Sequence, residues 1–266
     1  MHVSKKPIVL LSVQRSGTNF LRRMLGSHPA IDPLFGEIFD PNHIRKELSF
    51  FNFYHRAVAD DPSLCLPDRR LDAFEKYIEF LDCKVPAQHY ILDIKYNCIR
   101  HLDSYWPAQK EVLTQYIIDR QWPVIHLIRT DLLAAIFSHM RARETGVWMT
   151  KGQEHCDNFS AAVDPVGIVN GVVNRRQAIQ RYRRDFAGAR LLELVYEDFI
   201  DAPNGINEIA LTKIREFLDV TDEFSRTPET KKLITQPMSQ AIENYDDVVE
   251  TAATRRIPLR MSLNQP

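Results

Sequence analysis

Ile8-Val-Leu-Leu-Ser-Val13-Gln-Arg-Ser-Gly-Thr18-Asn-Phe-Leu-Arg-Arg-Met-Leu25-Gly26 is the stretch that decides the architecture. Ile8 to Val13 is short, continuous and apolar, as expected of a strand buried in a parallel sheet covered on both faces. Gln14 to Thr18 is a tight polar loop. From Asn19 the apolar residues Phe20, Leu21, Met24 and Leu25 recur at helical spacing, and Gly26 ends the run. A loop that leaves a strand and enters a helix presents unpaired backbone N–H groups and the positive end of the helix dipole. Gly17 permits close approach of the backbone to a ligand. Ser16, Thr18 and Asn19 add short polar groups, and Arg15 adds a guanidinium fork suited to phosphate or sulfate oxygens. These are the parts of an anion cradle; the plainer reading is a helix start with an incidental arginine. A nucleoside-triphosphatase loop needs Gly-x-x-x-x-Gly-Lys-Ser/Thr, and here the lysine and the first glycine are missing; there is no Gly-x-Gly-x-x-Gly either.

Outward from this unit, strands alternate with helical stretches. Tyr90 to Tyr96, Pro123 to Ile128 and Arg190 to Tyr196 read as further strands. Helices are expected near Leu71 to Leu81, Lys110 to Arg120, Leu132 to Arg143, Val166 to Phe186 and Gly205 to Leu218. That alternation predicts an α/β fold with a central parallel sheet flanked by helices. The chain reads as one domain over 1–266. The aromatic stretch 40–88 and the segment 143–166 are expected to be insertions that shape an acceptor site, and the tail 251–266 is expected to lack regular structure.

A second motif follows the third strand. In Leu127-Ile-Arg129-Thr-Asp131-Leu-Leu-Ala-Ala135-Ile-Phe-Ser138-His-Met-Arg-Ala142, Arg129 ends the strand and Asp131 can cap the next helix. Ala135, Ser138 and Ala142 fall on one narrow helical face. Either a ligand lies against that face, with Ser138 bonding it and Arg129 supplying charge, or a neighbouring helix packs there and Ser138 bonds its own backbone. Two anion sites at the carboxyl ends of parallel strands suit a nucleotide with phosphates at two places.

Val13-Gln-Arg-Ser-Gly-Thr-Asn-Phe-Leu21, together with Leu127-Ile-Arg129-Thr-Asp-Leu-Leu133 and Ser138, resembles the two nucleotide-binding motifs of sulfotransferases that use 3′-phosphoadenosine-5′-phosphosulfate (PAPS). The look is nearest to bacterial carbohydrate enzymes of the nodulation-factor, lipopolysaccharide and trehalose type. The likeness continues in Gly36-Glu37-Ile-Phe39, Arg141-Ala-Arg-Glu-Thr-Gly-Val-Trp148, Val195-Tyr-Glu-Asp-Phe199 and Gln236-Pro-Met-Ser-Gln-Ala-Ile-Glu-Asn-Tyr245, in order over roughly residues 7 to 250. The resemblance implies a P-loop-like three-layer fold. It implies that Arg15, Ser16, Gly17, Thr18 and Asn19, with Phe20 beside them, hold the 5′-phosphosulfate. Arg129 and Ser138 would hold the 3′-phosphate, and Tyr196 would lie near the nucleotide. The co-substrate would be PAPS, the product adenosine 3′,5′-bisphosphate, and no metal is required. One departure is that hormone-type sulfotransferases carry a lysine in the first loop and a histidine base; this chain has Arg15, and its motifs place no histidine as a base.

Glu37 supplies an alternative base. It is a charged residue in the apolar setting Phe35-Gly-Glu-Ile-Phe39, where desolvation raises a carboxylate's proton affinity. A glutamate in this region is the proposed base of related carbohydrate sulfotransferases; the plainer reading is a salt bridge that orders the insertion, with an arginine of the first loop as partner. Lys95, at the end of the second strand, either stabilises charge on the sulfuryl group or the bridging oxygen, or snorkels to solvent. Arg175, Arg176, Arg181, Arg183 and Arg184 read as a solvated helix face, the sharper alternative being an anionic acceptor or a second contact to the nucleotide. Trp148 either stacks on a sugar ring or packs in the core or a lid.

Composition sets the outer bounds. A formal net charge of -1 gives no bulk attraction to nucleic acid or acidic membrane, so any anion site is local. Cys65, Cys83, Cys98 and Cys156 are irregularly spaced and form no zinc pattern with the histidines, which leaves reduced, partly buried thiols. The apolar run after the first residues is far short of a membrane span and is followed by no cleavage signal, so a cytoplasmic protein is expected. The reading is therefore a sulfotransferase acting on a hydroxyl of a sugar, glycolipid or other small molecule. Its rivals are a nucleoside-triphosphate phosphotransferase and a nucleotide-binding relative without turnover.

Overall fold

The computed structural model describes residues 5–99, 111–148, 159–201, 205–225 and 236–263. Strand β1 (Lys6–Ser12) runs into the polar loop and helix α1 (Thr18–Leu25), and a two-residue strand β2 (Ile31–Asp32) follows. Helices α2 (Phe50–Asp60) and α3 (Arg70–Lys84) precede β3 (His89–Lys95). Next come α4 (Val112–Asp119), β4 (Val124–Ile128), α5 (Leu132–Thr145), α6 (Pro165–Asp185) and β5 (Leu191–Val195). A short α7 (Tyr196–Phe199), the hairpin β6 (Ile200–Asp201) and β7 (Gly205–Ile206), α8 (Glu208–Leu218), α9 (Met238–Ala241) and α10 (Tyr245–Thr254) complete the described chain.

Five strands form one parallel sheet in the order β2-β3-β1-β4-β5. β1 lies at the centre, and its neighbours β3 and β4 come later in the chain. The loops leaving β1, β3 and β4 therefore gather at one edge, where ligands bind in open α/β sheets. Alternation along each strand separates two apolar layers. Val9, Leu11, Leu92, Ile94, Val124 and Ile128 face one side, with side chains of α3, α4 and α6. Ile8, Leu10, Ile91, Ile125 and Leu127 face the other, with α1 and α8. A third cluster joins α5 and α6 to α10. The α/β three-layer architecture read from the sequence is the one observed.

Three local expectations are corrected. The tail is helical as far as Thr254, because Val248 and Ala252 recur at i, i+4 and bury against α5 and α6. The aromatic stretch holds a full helix, α2, capped by Ser49 accepting from the Asn52 N–H at 3.2 Å, with Phe50, Phe53 and Tyr54 packed against Tyr77 or its neighbours. Of the cysteines, Cys98 is buried but Cys65 and Cys83 are exposed free thiols, so partial burial does not describe them; Cys156 lies outside the described residues. Residues 100–110 and 149–158 also lie outside, which removes the first turn expected at Lys110 and part of the 143–166 segment.

Candidate active site

The loop after β1 turns sharply. Arg15 has φ 67° and Gly17 φ 86°, both in the left-handed region. At Gly17 the absence of a side chain makes that conformation cheap, whereas Arg15 occupies it against the ordinary preference of a residue with a Cβ. Gly17 is the N-cap of α1 and makes no side-chain cap bond; its carbonyl accepts from the Phe20 N–H at 3.0 Å and the Leu21 N–H at 3.1 Å. Ser16 is fully buried, and its Oγ has no hydrogen-bond partner among the described residues.

Two arginines brace the loop through its carbonyls. Arg129, at the end of β4, donates from Nη1 to the Arg15 carbonyl at 3.0 Å. Arg175, on α6, donates from Nη1 to the Gln14 carbonyl at 3.2 Å. Arg15 itself reaches across to α5, where its Nε donates to Ser138 Oγ at 3.1 Å, and its Nη1 donates to the Trp148 carbonyl at 2.7 Å. The small-residue face of α5 thus receives the guanidinium of the first motif. Arg129 lies over the Tyr196 ring at 4.9 Å. Burial and the Arg129 charge lower the proton affinity of Arg15, and the same two causes pull Arg175 down to about 10. Burial first, and like charge second, disfavours these cations, and an anion beside them would relieve both.

A second group lies where the loop enters α1. Lys95 is buried, donates to Thr18 Oγ1 at 2.8 Å and to Asp93, and sits 3.7 Å from Glu37 Oε1. That burial rules out the snorkelling reading of Lys95. Glu37 pairs with β3 through an isolated bridge to Asp93, and the Ile38 N–H donates to the Asp93 carbonyl at 3.2 Å. Arg22 of α1 holds the approach by donating to the carbonyls of Pro33 and Leu34, each at 3.2 Å. The partner of Glu37 is therefore Lys95, not an arginine of the first loop. Burial raises the Glu37 carboxyl above its ordinary value, Lys95 opposes the rise and Asp93 adds to it.

The structure brings Arg15, Arg129, Ser138 and Tyr196 together, and Thr18, Lys95 and Glu37 together, on opposite ends of one loop. Asn19 and Phe20 lie in the first turn of α1, Phe20 against Phe199 with ring centroids 6.0 Å apart. The basic cluster on α6 is not a solvated face. Arg181 pairs with Glu111 at 2.8 Å, Arg183 pairs with Glu193 at 2.9 Å, Arg176 bonds the Pro258 carbonyl, and Arg184 is the exposed member. Trp148 is 47% exposed and packs edge-on against His139 at 5.7 Å, so it is no core residue.

Two residues of the site escaped the sequence reading. Glu197 accepts from the Thr130 N–H at 2.9 Å, from Thr130 Oγ1 at 2.8 Å and from the Asp131 N–H at 3.0 Å, and lies 3.8 Å from Arg129 Nε. Its signal was an acid directly after a strand end. Asp93 is 1% exposed, an acid inside an otherwise apolar strand, and that contrast could have found it. Among the described residues no cluster of three or more His, Cys, Asp or Glu could hold a metal ion, and no helix is long and apolar enough to cross a membrane.

A sulfotransferase family profile matches residues 7–223, which takes in the loop, both cation clusters and β5. The chain belongs to the sulfotransferase family. Two solved structures are similar to this sulfotransferase over most of its length. One is a sulfotransferase domain from the curacin biosynthetic pathway, at 16% identity and a TM-score of 0.45, with 99% of this chain and 94% of that one covered. The other is sulfotransferase STF9 from Mycobacterium avium, at 13% identity and a TM-score of 0.44, with 97% and 79% covered. No curated protein matches the chain. Family membership makes sulfuryl transfer the reaction class.

Proposed function

We propose that this sulfotransferase moves the sulfuryl group of PAPS to a hydroxyl of a carbohydrate or glycolipid acceptor, with Glu37 as general base. The observation that carries the reading is the convergence of Arg15, Arg129 and Ser138 on one loop, beside a buried Ser16 hydroxyl that has no partner among the described residues. Those groups fit a ligand with two separated oxyanions. Arg15, Ser16, Gly17, Thr18 and Asn19 would take the 5′-phosphosulfate, Arg129 and Ser138 the 3′-phosphate, and Tyr196 would flank the base or ribose. PAPS, as co-substrate, supplies a sulfuryl group already activated by its anhydride link to phosphate.

In the transfer, the acceptor oxygen bonds to sulfur while the bond from sulfur to the bridging oxygen breaks, and both electrons stay on the bridge. Glu37 takes the acceptor proton. Its raised proton affinity suits that role, since a base is most effective when its pKa approaches the working pH. Arg15 and the loop amides stabilise the charge that grows on the bridge, and Lys95 keeps Glu37 and Thr18 in register. Positioning and electrostatics carry such transfers, as they do phosphoryl transfer, and the scheme uses no metal. The segments 40–88 and 143–166 would shape the acceptor pocket within a single domain, in a cytoplasmic setting.

Calorimetric titration with adenosine 3′,5′-bisphosphate tests the reading. Binding to the wild type that collapses in Arg129→Ala and Arg15→Ala, with AMP weaker and ATP not favoured, is the expected result. Preference for ATP with magnesium would replace it with a phosphotransferase. Tight bisphosphate binding with no transfer to any hydroxyl acceptor would leave a nucleotide-binding relative without turnover.

A further inference from the structure

Arg175 stands apart from the other paired arginines of α6. Arg181 and Arg183 each hold a carboxylate, and Arg176 a carbonyl against the chain end of the described fold. Among the described residues no carboxylate pairs with Arg175. The titratable groups that act on it electrostatically are Arg129, Tyr96, Arg15 and His139. The residue is only partly exposed, so water compensates its charge incompletely. A cation in such a place is costly unless an anion joins it.

Its placement is specific. Asp164 caps α6 by accepting from the Val166 N–H at 3.0 Å, and Pro165 opens the helix. Gly171, one turn before Arg175 on the same face, lets α6 close on α5; a methyl group there would lie 3.2 Å from Ile136 Cδ1. That approach carries Arg175 to the Gln14 carbonyl, while Arg129 takes the next carbonyl along, at Arg15. Two guanidiniums from different elements therefore grip consecutive peptides of the loop whose second peptide is left-handed. Each uses one of its N–H groups for the loop, and a guanidinium has five, in a fork that matches two oxyanion oxygens.

We propose that Arg175 is a third oxyanion-binding guanidinium of this site, serving the 5′-phosphate end of the nucleotide and fixing the β1–α1 loop beneath it. The inference rests on the PAPS reading above. An oxyanion at this point could also come from an acidic acceptor; the bond to Gln14, inside the phosphosulfate loop, favours the nucleotide.

Titrations with adenosine 3′,5′-bisphosphate, AMP and adenosine 3′-monophosphate against wild type, Arg175→Gln, Arg175→Lys and Arg129→Ala separate the possibilities. Arg175→Gln should weaken the bisphosphate and AMP by a similar factor, about 10- to 100-fold, and leave adenosine 3′-monophosphate unchanged. Arg175→Lys, which keeps the charge, should recover most of the loss, and recovery by charge is not what a packing defect shows. A thermal melt identifies any variant that fails to fold, and where Arg175→Gln fails the lysine variant decides: a residual weakening of the bisphosphate and AMP with adenosine 3′-monophosphate unchanged supports the role, and loss of all three ligands alike, or of none, overturns it. If Arg129→Ala abolishes bisphosphate binding while Arg175→Gln leaves it intact, the PAPS site stands and this inference falls. If the only change in Arg175→Gln is a raised KM for an acidic acceptor, the guanidinium belongs to the acceptor. No bisphosphate binding by wild type overturns the PAPS reading itself.

Discussion

Glu37 shows how one side chain is set by its backbone. Leu34 at φ 49° and Gly36 at φ 148° turn the chain so that Glu37 rejoins the sheet beside Asp93. The carboxylate then lies between burial, which raises its pKa, and Lys95, which lowers it, with burial the larger effect. As a base it must start deprotonated, so turnover falls as pH drops through its pKa. The acid limb of kcat should therefore sit above the ordinary glutamate value. Glu37→Gln keeps the shape and removes the proton acceptor; kcat should fall about 10²- to 10⁴-fold while affinity for adenosine 3′,5′-bisphosphate stays within about twofold. A variant that retains kcat and the same acid limb would assign the base to another residue. Lys95 would contribute to that limb with a definite sign, because its charge favours the ionised carboxylate.

At the scale of elements, the start of α5 depends on an acid from α7. Asp131 caps α5 by accepting from the Ala134 N–H at 3.0 Å, and Glu197 ties the preceding peptides while pairing with Arg129. Glu197→Gln puts an amide where an acceptor faces N–H donors and removes the negative charge beside Arg129. Bisphosphate affinity should fall about tenfold, and the melting temperature by a few degrees, given about 1.5–3 kcal/mol for a hydrogen bond to a charged group. An unchanged affinity in calorimetry would separate the α5 cap from the nucleotide site. This coupling also marks what was legible. β1, its loop and α1 were readable because the apolar run, the glycine and the helical spacing lie within one short window. α2 was not, because Phe50, Phe51, Phe53 and Tyr54 blur any single period. Ser138 and Arg129 were found as a motif, whereas Glu197 and Arg175 acquire their meaning only when β5 and α6 pack against loops far away in sequence. Local pattern reveals elements; contacts that cross the sheet are set by topology.

At the scale of the whole molecule, a buried polar seam fastens α6 and β5 to the sheet beneath the site. His126, fully buried on β4, faces the Glu193 carboxylate at 3.3 Å through Nδ1 and the Tyr96 hydroxyl through Nε2. Arg183 forks onto the same Glu193 at 2.9 and 3.1 Å, and the Tyr182 hydroxyl donates to the Tyr96 carbonyl at 2.9 Å. Tyr96 follows Lys95 in the chain and acts electrostatically on Arg175, so the seam is linked to both ends of the candidate site. Burial lowers the proton affinity of His126 despite the attraction of Glu193. The unfolded chain therefore takes up this proton first. Stability from the neutral, buried imidazole is complete above about pH 6.5 and declines as pH falls below it, by at most about 1.4 kcal/mol per pH unit. Glu193, whose pKa is lowered chiefly by its bond to His126 and also by Arg183, adds a further loss at lower pH, in the ordinary carboxylate range. Burial also lowers His89 and His139, so the wild-type curve alone does not isolate His126. Denaturant titrations of wild type and His126→Asn at pH 7.5, 6.5 and 5.5 do. The variant should be less stable at pH 7.5, where a buried hydrogen-bonded ring is lost, and the gap should narrow as pH falls, because the asparagine has no proton to take up. A gap that stays constant across the three pH values would mean that His126 enters the folded state with an ordinary pKa, and that the seam holds α6 by packing and the Arg183 pair alone.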